Sequence, residues 1–72
     1  MIKFFLTIYK DGDKNGKNYI YLTKEKAIEQ KDSAIQRKYL KPGDKVSLNY
    51  ADFDEEGNLK GGVFYPMEFW EL

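Results

Sequence analysis

The residues best suited to chemistry are the carboxylates of two short, similar stretches. Asp11, Asp13 and Asn15 alternate with other residues and are closed by Gly16, the spacing with which a twelve-residue calcium-binding loop opens. Such a loop needs an aliphatic side chain at its eighth position and a bidentate glutamate at its twelfth, and here those positions are Asn18 and Leu22. Asp, Asn and Gly are also the ordinary residues of a tight turn, and a polar hairpin loop is the expectation. The wider pattern Tyr-x-Asp-x-Asp-x-x-Gly occurs twice, as Tyr9, Asp11, Asp13, Gly16 and as Tyr50, Asp52, Asp54, Gly57. Brought together, the two carboxylate pairs could share a divalent ion, but two similar hairpins account for the same repeat. Asp52, Asp54, Glu55 and Glu56 would by themselves hold a cation only weakly.

The remaining inventory is poor for catalysis. The chain has no histidine and no cysteine, which removes the commonest general base, the commonest metal ligand, thiolate nucleophiles and disulfides. Ser33 and Ser47 therefore lack a histidine partner, and nothing in the sequence supplies Lys31 with a pocket that would depress its pKa. A carboxylate pair doing acid–base work needs two different environments, whereas these carboxylates fall in exposed turns. We expect no enzyme, no catalytic residue, no cofactor and no metal.

The elements that must position any site are few. Seventy-two residues make one domain, residues 1–72, which buries only about 60% of its unfolded surface. Thr23 to Leu40 is the only stretch with helical periodicity, through Ala27, Ile28, Ala34, Ile35, Tyr39 and Leu40. Thr23 is the expected N-cap, Arg37, Lys38 and Lys41 suit the negative end of the helix dipole, and Pro42-Gly43 is the stop. Lys31 interrupts the stripe, its stem expected to pack and its ammonium to reach water. Ile2, Phe4, Leu6 and Ile8 alternate with polar or aromatic residues as a half-buried strand. Further strands are expected at Tyr19 to Leu22, Lys45 to Phe53 and Leu59 to Tyr65, with Met67 to Leu72 continuing along an edge after Pro66. The apolar run near the N-terminus is too short for a signal-peptide core and nothing approaches a membrane span, so a cytoplasmic protein without a membrane partner is the expectation.

The fold class is α+β, in the order ββαββ, with a four-stranded, mostly antiparallel sheet and one helix packed on one face. This order resembles the β-grasp arrangement of ubiquitin-like and small immunoglobulin-binding domains. The resemblance implies first and last strands lying parallel at the centre of the sheet, and implies no function. A small antiparallel sheet with the C-terminal segment as a fifth strand is the alternative. Asp13-Lys14-Asn15-Gly16 and Asp54-Glu55-Glu56-Gly57 both carry Asp first and Gly fourth, the type I turn pattern with a left-handed glycine. Three-residue loops would pair Asp13 with Lys17 and Asp54 with Asn58. Ile20 and Leu22 would then face the core beside Leu6 and Ile8; a two-residue Asn15-Gly16 turn would place Tyr19 and Tyr21 there instead. In the second hairpin the same logic turns Phe64 inward, unless a bulge at Gly61-Gly62 puts Val63 and Tyr65 there. We expect the bulge.

Six tyrosines, five phenylalanines and one tryptophan exceed what one sheet face and a short helix can cover. Phe4, Tyr39 and Tyr50, with Tyr65 and Phe69, fit the covered side. Phe5, Tyr9, Tyr19, Tyr21, Phe64 and Trp70 are left as candidates for the other. Exposed aromatics also occur in sheets for cross-strand pairing alone, but Tyr, Trp and Phe are enriched where proteins meet. The function this suggests is a small protein-binding module, a regulator, adaptor or phage-type inhibitor of a host protein, using an aromatic sheet face or edge. Self-association as a homodimer is one alternative. Binding of single-stranded nucleic acid is another, since aromatic platforms stack bases. Residues 1–45 hold eleven Lys/Arg against six Asp/Glu, and residues 46–72 hold one against six, so an acidic half opposes the positive field such binding needs. Eleven lysines to one arginine suit an AT-rich coding sequence, as in a phage, a mobile element or a low-GC bacterium.

Overall fold

The alternation of Ile2, Phe4, Leu6 and Ile8 produces strand β1 (Ile2–Tyr9), to which the rest of the sheet is added. In the computed structural model, which describes residues 1–72, it is followed by β2 (Lys17–Tyr21), α1 (Lys24–Gln36), β3 (Lys45–Asp52) and β4 (Tyr65–Glu71). The strands form one sheet in the order β2-β1-β3-β4, and every neighbouring pair is antiparallel. The α+β class and the element order are as the sequence implies. The parallel central pair of the β-grasp resemblance is absent. β3 takes the free side of β1 over the full strand length, Phe4 opposite Tyr50, Leu6 opposite Leu48 and Ile8 opposite Val46, so the last strand is left at the edge. β2 and β3 consequently run parallel with β1 between them, and α1 crosses over that pair.

Leu6, Ile8, Val46 and Leu48 from the sheet, Ala27 and Ala34 from the helix and Leu40 from the connector form the buried core. The two alanines let the helix backbone approach the sheet closely, as their size suggests. Thr23 caps the helix by accepting from the Lys26 amide at 3.2 Å. The helix ends at Gln36, short of the expected Leu40. Lys38 adopts φ +61°, its amide donates to the Ile35 carbonyl at 3.0 Å and the Tyr39 amide to the Ala34 carbonyl at 3.0 Å. This is a Schellman closure, with lysine at the position that glycine normally fills. A lysine there carries a left-handed strain of about 1 kcal/mol. Lys38→Gly removes that strain but makes the unfolded chain more flexible, at a cost of up to about 1 kcal/mol. The net expectation is a gain of about 0.5 kcal/mol and a melting temperature about 2–4 °C higher by calorimetry.

The first hairpin reverses the expected register. Its ladder closes with Ile8 opposite Lys17, and Leu6 lies opposite Tyr19 and Phe4 opposite Tyr21. Tyr19 and Tyr21 therefore face the helix, while Ile20 and Leu22 point away from it and are exposed. The loop contains two turns rather than one. The Asp13 amide donates to the Lys10 carbonyl at 2.7 Å, with Gly12 at φ +85°, and the Asn15 amide donates to Asp13 Oδ1 at 2.9 Å.

In the second hairpin the Asp54 turn forms as expected. Its amide donates to the Asn58 carbonyl at 2.9 Å, and Asp54 Oδ1 accepts from the Glu56 and Asn58 amides, each at 2.9 Å. Leu59 to Gly62 is not strand. It makes one bridge, Leu59 with Phe53, and then turns at Gly61 and Gly62, both with positive φ. The bulge lies between Leu48 and Asn49 on β3, where Met67 is the extra residue of β4. Pro66 sits inside β4, tolerated because that strand is an edge and needs hydrogen bonds on one side only. Tyr65 shares the face of Tyr50, its ring stacked at 5.1 Å, but it is exposed there, as is Val63.

One buried carboxylate ties the loops at one end of the sheet. Asp44 is 2% exposed. It accepts from Lys10 Nζ at 2.6 Å, the Asp11 amide at 2.8 Å and the Lys41 amide at 2.9 Å. Lys10 Nζ also donates to the Tyr39 carbonyl and lies 4.7 Å from the Tyr39 ring centre. The Lys10 ammonium and the two amides hold Asp44 at a pKa of about 2.

Candidate functional site

The helix covers one face of the sheet and no element covers the other. On the open face the strand register aligns Lys3, Phe5, Thr7 and Tyr9 of β1 with Asn18 and Ile20 of β2 and with Ser47 and Asn49 of β3. Phe69 lies opposite Ser47 on β4. Phe5 is the centre of an aromatic cluster, with Phe64 edge-on at 5.1 Å and Phe53 at 6.0 Å between ring centres. Lys3 Nζ stands 5.0 Å from the centre of the Phe53 ring. Phe64 is 50% exposed, Phe69 55% and Ile20 59%. A shallow hollow of about 380 Å³ lies among Phe5, Thr7, Asn18, Ile20, Asn49 and Phe64. At its floor Thr7 Oγ1 donates to Asn18 Oδ1 at 2.6 Å.

Of the six aromatics expected to share this face, Phe5, Tyr9 and Phe64 do lie there. Tyr19, Tyr21 and Trp70 do not: all three pack against the core under the helix. The tyrosines move with the register of the first hairpin. Trp70 lies opposite Val46 because the extra residue at Met67 changes the parity of β4. The same change sends Phe69, expected on the covered side, out to the open face. Phe53 and Ile20 also join the open face without having been expected there. Pro66 was the available sign of irregularity, since proline inside a strand accompanies an edge or a bulge.

Lys31 also differs from expectation. Its side chain is only 12% exposed and its ammonium lies 3.1 Å from Asp32 Oδ1 and 4.2 Å from the centre of the Trp70 ring. The gap in the apolar stripe is thus closed by a cation–π contact between helix and edge strand.

The two repeated Asp motifs lie at opposite ends of the sheet, since Tyr9 pairs with Lys45 and Ile2 with Asp52. No group of three or more acidic residues is arranged to hold a metal ion. Asp52 has its pKa lowered by the hydrogen bond from the Met1 ammonium and by Lys60, so it is engaged in ion pairing. No helix is long and apolar enough to cross a membrane.

The molecule is thus a small α+β domain, one helix on a four-stranded antiparallel sheet, with an uncovered phenylalanine-rich face. No family model matches the chain, and no curated protein or solved structure is significantly similar to it.

Proposed function

We propose that the protein is a non-enzymatic binding module whose open sheet face receives a partner protein. The observation that supports this reading is the contiguity of Phe5, Phe53 and Phe64, extended by exposed Ile20 and Phe69. Singly scattered apolar residues are normal on a surface, but an adjoining group of large ones on an uncovered face marks a contact site. Aromatic rings seated in such a group carry much of the energy of an interface.

Phe64→Lys and Phe69→Lys are expected to keep the fold, because both side chains are half exposed. Each should weaken capture of the partner by about 2 kcal/mol, roughly thirtyfold. Ile35→Lys, on the exposed side of the helix, serves as the control and should leave capture intact. Quantitative pull-down with the three variants, before and after nuclease treatment, tests the reading. Loss in all three variants, or in none, would refute it. Capture that disappears with nuclease, falls steeply with salt and is lost in Lys3→Glu would indicate single-stranded nucleic acid. Self-association that is concentration-dependent in sedimentation and abolished by Phe64→Lys would make the partner a second copy of the chain.

A further inference from the structure

We infer that the cleft between the β1–β2 hairpin and the C-terminal half of α1, on the covered side of the sheet, binds a small organic carboxylate with a flat apolar body. The residues facing the hairpin across this gap are Gln30 and Ala34 of the helix and its C-cap Arg37, one stripe at helical spacing. None is a large apolar side chain, so the helix leaves open the space that a leucine would fill in an ordinary core. The resulting cleft measures about 400 Å³, floored by Leu6, Ile8 and Ala34 and walled by Tyr19, Tyr21 and Tyr39. This is within the usual size for a small-molecule site, roughly 300–1,000 Å³.

The polar groups around the cleft determine the ligand's chemistry. Its only charged lining residues are Lys17 and Arg37, both exposed, and neither takes part in any of the ion pairs of the chain. The rim is therefore uniformly positive. Arg37 offers a guanidinium fork that matches a carboxylate in two hydrogen bonds. Tyr21, whose phenol pKa is raised by burial and by neighbouring Tyr19, adds a neutral hydroxyl to the lining. Three tyrosines around an aliphatic floor offer apolar and aromatic surface to the body of such a ligand, and the positive rim offers the partner for its carboxylate.

The test is an amide-shift titration of the full chain with 1-naphthoate, with 1-naphthalenemethanol as its uncharged counterpart. The expected result is saturable shifts at Tyr19, Tyr21, Ala34 and Arg37, with the alcohol bound about tenfold more weakly. Arg37→Ala should also cost about tenfold. Ala34→Leu should fill the cleft and abolish binding. Because Ala34 is buried, Gln30→Trp at the exposed rim is the second blocking variant, and it decides the matter if Ala34→Leu fails to fold. No saturable shift up to about 10 mM naphthoate would overturn the inference. So would shifts mapping to Phe5 and Phe64, equal affinity for acid and alcohol, or binding indifferent to Arg37→Ala and Gln30→Trp. The Phe64→Lys variant should bind naphthoate normally, so this site and the open face stand or fall separately.

Discussion

Gly16→Ala is expected to lower unfolding stability by about 2–3 kcal/mol and the melting temperature by roughly 10–20 °C. Gly16 has φ +72°, and a Cβ there would lie 2.7 Å from Tyr9 Cε1 and 2.8 Å from Thr7 Cγ2. The left-handed backbone costs a non-glycine residue about 1–2 kcal/mol. The clash adds to it, since Thr7 is buried and hydrogen-bonded to Asn18 and cannot easily yield. A smaller unfolded-state entropy offsets less than about 1 kcal/mol of the total. Gly12→Ala separates the two contributions. Gly12 has φ +85° but nothing within 4 Å of the added carbon, so it should lose about 1 kcal/mol only. Denaturant melts of both variants provide the comparison. Equal losses would mean that Tyr9 swings aside and the contact with Gly16 holds nothing. The consequence reaches the proposed interface, because Tyr9 and Thr7 stand on the open face and Gly16 is the support under them.

Asp44→Asn is expected to destabilise the fold markedly and to remove most of its acid sensitivity. The neutral amide would leave the Lys10 ammonium without its buried anion. It would also weaken the contacts from the Asp11 and Lys41 amides that hold the β1–β2 loop against the helix–β3 connector. The pH dependence follows from the depressed pKa of about 2 against the ordinary 3.8. A carboxyl more acidic in the folded than in the unfolded state stabilises the fold above its unfolded value. That contribution is lost as pH falls through the folded one. The wild-type protein should therefore lose stability between about pH 4 and pH 2, with Asp52 adding a loss of the same sign. In urea melts across that range the Asp44→Asn variant should show a flatter profile. A variant whose stability falls as steeply as the wild type's would assign the acid sensitivity to other carboxylates.

Both effects centre on loops, and the loops are also where sequence and structure part. The Asp54 turn was legible because its Asp and Gly act locally: one carboxylate oxygen collects two nearby amides and the glycine supplies the left-handed residue. The Asp13 turn carries the same pattern but lies in a longer loop, because Asp11 is drawn to Asp44, 33 residues away. No local rule contains that contact. Its effect is non-local as well. Moving the ladder by an odd number of positions puts Tyr19 and Tyr21 inward and Ile20 outward, since side chains alternate strictly along a strand.

The candidate surface was legible in kind more than in membership. An aromatic excess had to be exposed somewhere, and composition alone said so. Which rings would be exposed depended on two register choices, one at each hairpin, and each moved a whole set of side chains together. Phe5 could be placed because β1 is long and its alternation unbroken. Trp70 and Phe69 exchanged faces through one extra residue at Met67.

Local chemistry along the chain was enough for the element order, the α+β class, the helix N-cap at Thr23 and the close approach of Ala27 and Ala34 to the sheet. Each of these follows from side-chain size, periodicity or bonding within a few residues. Long-range packing was needed to place β3 rather than the last strand beside β1 and to hold Lys31 over Trp70. Those outcomes rest on contacts between residues far apart in the chain. Strand pairing, apolar burial and charge pairing compete there across the whole domain, and local preference yields to whichever arrangement satisfies the most of them at once.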